Sequence, residues 1–89
     1  MSEDREPVVD TTAAAYVYMQ VADHVAWQIR QGRLQPGARL AGERDLAQEY
    51  GVSIASIRRA VAELRERGLV TTLPAKGTFI AESRDESDA

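Results

Sequence analysis

The chain has 89 residues, no cysteine, one histidine and a formal net charge of -3, which leaves room for one small domain with about 65 residues in a packed core. Without cysteine there is no disulfide, thiolate catalysis or thiolate-bound zinc, and His24 alone cannot build a metal site, so it reads as a surface histidine and no cofactor is expected. No run of about 18 apolar residues exists to span a bilayer, and the acidic start MSEDREPVVD is unlike a basic secretory leader, so the chain reads as soluble, cytoplasmic and without a membrane partner.

The negative total hides an uneven distribution. At the start Arg5 stands against Glu3, Asp4, Glu6 and Asp10, and at the end Arg84 stands against Glu82, Asp85, Glu86 and Asp88. Between them nine cations face six acids, so a basic domain is flanked by acidic ends. Residues 1–12 and 82–89 have few apolar anchors to offset the entropy of ordering them, and they read as mobile segments around a domain covering 13–81.

In chain order, Tyr18, Val21, Val25 and Ile29 recur at spacings of three and four, which predicts a helix over about 14–31 with that stripe toward the core. Gly32 suits the left-handed residue after a helix end, and Pro36-Gly37 marks a turn leading to a buried Leu40. A short second helix fits Glu43 to Tyr50, with Glu43 and Asp45 complementing its dipole and Leu46, Ala47 and Tyr50 facing inward. Gly51 ends it, Val52 supplies an apolar plug, and Ser53 can cap a third helix over about 54–67 that buries Ile57, Ala60, Val61 and Leu64. After Gly68 the pattern changes: 69–73 (LVTTL) and 78–81 (TFIA) are β-prone runs around PAKG, a hairpin. The fold class is therefore mainly α with a small β-hairpin, a winged helix-turn-helix of three helices plus a two-stranded wing.

Candidate chemistry follows from this order. Opposite Ile57 and Val61, the third helix carries Ala55, Arg58, Arg59 and Ala62, a narrow basic face whose small residues allow close approach to a groove and whose arginines can fork onto guanine or clamp phosphate. A solvated face serving solubility is the plainer reading, above all for Arg59. Arg44 stands at the start of the second helix, where the dipole favours anions; a phosphate there resolves the conflict, as would pairing with Asp45 or a nearby glutamate. Lys76, Gly77 and Thr78 at the hairpin tip suit phosphates or the minor groove, although an ordinary exposed turn looks the same. No nucleophile, acid–base pair or metal cluster points to an enzyme.

From Tyr18 through Ile80 these residues resemble the N-terminal DNA-binding domain of the GntR family of bacterial regulators. The matching stretches are IRQGRLQPGARL (29–40), ERDLA (43–47), YGVS (50–53), IRRA (57–60), LRERGLV (64–70) and KGTFI (76–80). The resemblance implies a transcriptional regulator, by default a repressor, that binds double-stranded operator DNA. Arg44 would contact DNA from the second helix, Arg58 would read a base from the major groove, and Lys76-Gly77 would enter the minor groove. Ser53, Ala55, Ser56, Arg59 and Thr78 complete the expected DNA-binding set. Three departures stand out: Ala41-Gly42 replaces the usual Pro-Ser before the second helix, Ile54 stands where many members carry a polar or basic contact, and Pro74-Ala75 replaces the common Gln-Gly, which stiffens the wing. Typical members continue into an effector-binding, dimerising domain, and no small-molecule effector domain is expected in these residues. A winged-helix module that docks another regulator is the rival reading.

Self-association is expected on two-fold sites, at least on DNA. Trp27 falls on the first helix opposite the Tyr18, Val25 and Ile29 stripe and shares its face with Tyr16, Gln20 and Asp23, which makes that face a candidate homodimer seam. The alternative is that the segment around Val8, Val9 and Ala13 folds back over Trp27 within one chain.

Overall fold

The computed structural model describes residues 5–13 and 15–82. Its elements are α1 (Val17–Arg30), α2 (Glu43–Tyr50), α3 (Ile54–Glu66), β1 (Val70–Leu73) and β2 (Gly77–Ile80), the winged helix-turn-helix order. Residues 1–4 and 83–89, which hold much of the acidic excess assigned to mobile ends, lie outside the described residues.

Helix α1 starts later than its apolar pattern does. Asp10 captures the local backbone first: its side chain accepts from the Thr12 backbone N–H (2.9 Å) and hydroxyl (2.7 Å), and its carbonyl accepts from the Ala13 N–H (3.1 Å). Such side-chain turns compete with a helix, and the helix begins only at Val17, behind Tyr16, whose backbone is extended and offers no side-chain cap. At the other end Gly32 takes φ 78° and the Arg33 N–H bonds back to the Gln28 carbonyl (2.9 Å), closing the helix as expected.

Helix α2 has no side-chain cap at Gly42 and ends at Gly51 in the left-handed region (φ 69°). The tight turn that follows places Val52 against the core. Ser53 caps α3, its Oγ accepting from the Ser56 N–H at 3.0 Å. One apolar core then forms from Val21, Ala22, Val25 and Ala26 of α1, Leu40, Leu46 of α2, Ile57, Ala60 and Leu64 of α3, and Val70 and Ile80 of the hairpin. Tyr18, Ile29, Ala47, Tyr50 and Val61 pack on it half-buried.

The strands β1 and β2 pair antiparallel, with Val70 opposite Ile80 and Leu73 opposite Gly77. On its other side β2 meets residues 37–40: the Leu40 N–H donates to the Thr78 carbonyl and the Ile80 N–H to the Ala38 carbonyl, both at 2.8 Å, with a bridge between Arg39 and Phe79. The loop after α1 thus covers the outer edge of β2, which the sequence pattern does not reveal because the pairing spans about forty residues. Among the described residues no helix is long and apolar enough to cross a membrane.

Candidate nucleic-acid interface

The cap at Ser53 fixes where α3 begins and therefore which side chains its first two turns present. Ser53 and Ser56 are drawn into that cap, with their hydroxyls 3.1 Å apart. Ala55, Arg58 and Arg59 are exposed, and Ala62 is half-buried. Arg58 reaches back to the start of α2, where its Nε donates to Glu43 Oε1 at 3.0 Å. Arg59 turns the other way and lays its guanidinium over the Tyr18 ring, 4.1 Å from the centroid. The two neighbouring arginines of the third helix are therefore held differently, one by a carboxylate and one by an aromatic face of α1.

Arg44 is exposed and has no ion-pair or hydrogen-bond partner among the described residues, so the pairing with Asp45 that the sequence left open is not made. Its cation stands in the first turn of α2 beside Glu43 and Asp45. At the wing, Lys76 is exposed at the tip, whereas Gly77 and Thr78 are half-buried within β2. The Thr78 hydroxyl is 3.0 Å from that of Thr72, which accepts from Arg65 Nη1 at 2.9 Å. This chain of bonds braces the wing against the last turn of α3.

Between the start of α2, α3 and the wing lies an open cleft of about 560 Å³, whose lining includes three arginines, Arg39, Arg58 and Arg65, and one acidic residue, Glu43. Arg39, Arg65 and Glu43 are site residues that the sequence did not single out. Arg65 lies seven residues, two helical turns, after Arg58, and that spacing could have placed it on the same face. Arg39 offers no comparable signal, because its position depends on the 37–40 segment pairing with β2.

Two expectations about α1 are corrected. Trp27 is 5% exposed and cannot anchor a seam between copies; its ring carries the Arg33 guanidinium at 4.8 Å and lies 5.8 Å from the His24 ring. The rest of that face is engaged within the chain. Gln20 Oε1 accepts from the Asp10 N–H at 2.7 Å, and Asp23 accepts from Arg67 Nη2 at 2.9 Å, while Tyr16 stays 72% exposed beside Tyr18. His24 is likewise no surface histidine: its side chain is 14% exposed, with Nδ1 2.7 Å from the Tyr50 hydroxyl and Nε2 2.6 Å from Glu6 Oε2. Residues 6–10 fold back along α1, with Glu6 on His24, the Asp10 N–H on Gln20 and Val9 on the core, so the segment around Val8 and Val9 returns to this helix within one chain, as the alternative to a homodimer seam had it.

Arg67, at the end of α3, ties the helices together by donating to Asp23 of α1 and, through Nε, to Glu63 at 3.0 Å. Burial works against its charge, but those hydrogen bonds and charges more than offset it and hold the guanidinium above its ordinary range.

This geometry is shared with known regulators. Residues 17–80 match the model of the bacterial regulatory proteins of the gntR family. The chain is 39% identical over 64 residues to the HTH-type transcriptional regulator SmoD of Agrobacterium fabrum, covering 72% of this chain and 27% of that protein. It is 34% identical over 70 residues to the HTH-type transcriptional repressor NagR of Bacillus subtilis, covering 79% and 29%. The chain thus spans less than a third of the length of these relatives. Among solved structures, the DNA-binding domain of AraR in complex with operator ORR3 superposes with a TM-score of 0.69 at 36% identity, over 72% of this chain and 77% of that one. With the family model covering the three helices and the wing, the chain belongs to the gntR family of bacterial regulatory proteins.

Proposed function

We propose that this chain is a sequence-specific duplex-DNA-binding module of a transcriptional regulator, with α3 in the major groove and the wing in the adjacent minor groove. The observation that carries the reading is the likeness to a domain solved on its operator, over a fold whose exposed α3 face presents Arg58. Phosphate contacts fall to Arg44, in the first turn of α2, and Lys76, at the wing tip, both exposed and without an ion pair or side-chain hydrogen bond among the described residues. Repression is the mode the relatives favour, since NagR is named a repressor. A single recognition helix reads too few base pairs to stand out in a genome, so two copies bind a two-fold site with half-sites about one helical turn apart. Their contact is not the α1 face of Gln20, Asp23 and Trp27, which the chain's own residues occupy.

Selection of duplexes from a random library by the purified chain, followed by gel shifts at low salt, tests the reading. A recovered consensus bound at least about a thousandfold more tightly than random duplex is expected. Equal binding to every duplex, or none, sinks it, and sedimentation of the bound complex counts the protomers per site.

A further inference from the structure

Arg58 and Glu43 form an ion pair that contributes little to folding and a great deal to geometry. Both side chains are open to solvent, 67% and 48% exposed, and an exposed pair of this kind adds little to stability because solvent screens it and two long side chains must be held still. What it settles is direction. The carboxylate takes Nε, at 3.0 Å, and no other hydrogen bond to the guanidinium is made among the described residues. The two terminal nitrogens keep their donors unspent among the described residues, and these are the two that grip O6 and N7 of guanine end-on.

Glu43 is itself well placed to hold a fixed position. It is the first residue of α2, where the positive end of the helix dipole favours a carboxylate. The turn at Gly51 and Val52 sets α2 rigidly against α3, so a carboxylate on one helix becomes a fixed point for a long flexible side chain on the other. Arg59, one residue on, has its guanidinium parked over Tyr18 instead. Of the two, Arg58 alone is preset for a base edge.

A carboxylate in a DNA-binding cleft also repels phosphate. Non-specific binding, which rests on phosphate contacts, loses from its presence; guanine readout gains from an ordered arginine. Both effects widen the gap between a correct and an incorrect sequence.

We infer that Glu43 is a positioning residue that orients Arg58 for end-on recognition of guanine and so sets the sequence preference of this chain, an inference that rests on the DNA-binding reading above. The test is a double-mutant cycle on the 89-residue chain with Glu43→Ala, Arg58→Ala and the double variant, plus Glu43→Gln. Each is measured at fixed salt on a duplex recovered by the wild type from a random library and on a random duplex. Glu43→Ala is expected to lower the ratio of selected to random affinity about tenfold, and to change it less than about twofold once Arg58 is already alanine. Glu43→Gln keeps an acceptor at the same place and should retain most of the ratio while binding both duplexes more tightly. An unchanged ratio in Glu43→Ala, or the same loss with and without Arg58, overturns the inference while leaving DNA binding intact. A wild type that prefers no sequence overturns the DNA-binding reading and this inference with it. Thermal melts close to the wild type's are expected for every variant, because both positions are exposed.

Discussion

Arg39 lies across the face of Gly77 so closely that a Cβ added to the glycine would stand 2.7 Å from Arg39 Nε. The backbone of Gly77 also sits at φ 119°, a conformation that side chains rarely adopt. The glycine therefore does two things: it turns the chain into β2 and lets a cation from the 37–40 segment reach the cleft. Gly77→Ala is expected to cost about 1 to 3 kcal/mol of stability and to displace the Arg39 guanidinium, weakening DNA binding. Urea denaturation gives the first quantity and a gel shift the second; a variant as stable as wild type would show that the φ value is not strained.

At the wing tip the Lys76 N–H closes a turn onto the Leu73 carbonyl at 3.0 Å. Pro74 fits the second position of that turn, but Ala75 in the third takes φ 66°, the left-handed conformation for which glycine is the ordinary choice. This is the place where the sequence departs from the Gln-Gly common in the family. Ala75→Gly should stabilise the domain by up to about 1 kcal/mol, the relief of left-handed strain less the added freedom of the unfolded chain. A lower midpoint in denaturant would count against strain at this turn.

Trp27→Ala should be severe. A tryptophan buried to 5% exposure leaves a cavity costing about 3 to 5 kcal/mol when truncated, a large share of the stability of a domain this small. Had Trp27 been an exposed anchor between copies, the variant would keep its melting temperature and lose only association. A thermal melt alongside sedimentation separates these outcomes, and an unshifted melt would contradict the burial described here.

The contrast between these residues explains what was legible in the sequence. The stripes of Val21 and Val25, Leu46, and Ile57 and Leu64 declared their helices because a buried helix face repeats at a fixed spacing. Gly32, Gly51 and Ser53 declared the boundaries because left-handed turns and caps need those residue types. His24 was misplaced because its partners, Glu6 and Tyr50, lie 18 and 26 residues away in the chain, and Trp27 because the single-helix pattern left open whether Val8 and Val9 return to α1; Val9 does reach the core, and Trp27 is buried against Arg33 and His24. Arg39 was passed over for the same reason, since its neighbour Gly77 is far away in the chain. Arg44 and Arg58 stand out in the sequence as candidates because their spacing from the helix-turn-helix is local.

Arg44 gives a prediction in which stability and binding move in opposite directions. A lone cation in the first turn of α2 opposes the helix dipole, and among the described residues it has no partner to compensate. Arg44→Ala should leave stability unchanged or raise it by about 0.3 kcal/mol. On DNA the same change removes a phosphate contact and should reduce the slope of log affinity against log salt by about 0.9. A slope equal to that of the wild type would remove Arg44 from the phosphate contacts, whatever happened to affinity at a single salt concentration.

The Tyr50 hydroxyl, 2.7 Å from His24 Nδ1, makes the domain sensitive to alkali. Burial, then the charges of Glu49 and Glu6, push its pKa up to about 12 from the ordinary 10.0. The folded chain thus holds this proton more tightly than the unfolded chain does. Below about pH 10 both states are protonated and the contribution is fully present. As pH rises from there toward 12, the unfolded state loses its proton first and stability falls. Because the side chain is only half-buried, solvent screening trims the total to about 1 to 2 kcal/mol. Urea denaturation at a series of pH values across this window should show that decline in the wild type. Tyr50→Phe, which has no proton to lose, should start about 1 kcal/mol lower at neutral pH through the missing hydrogen bond and then show a shallower decline. Parallel curves for the two proteins would mean that another group governs the alkaline limb.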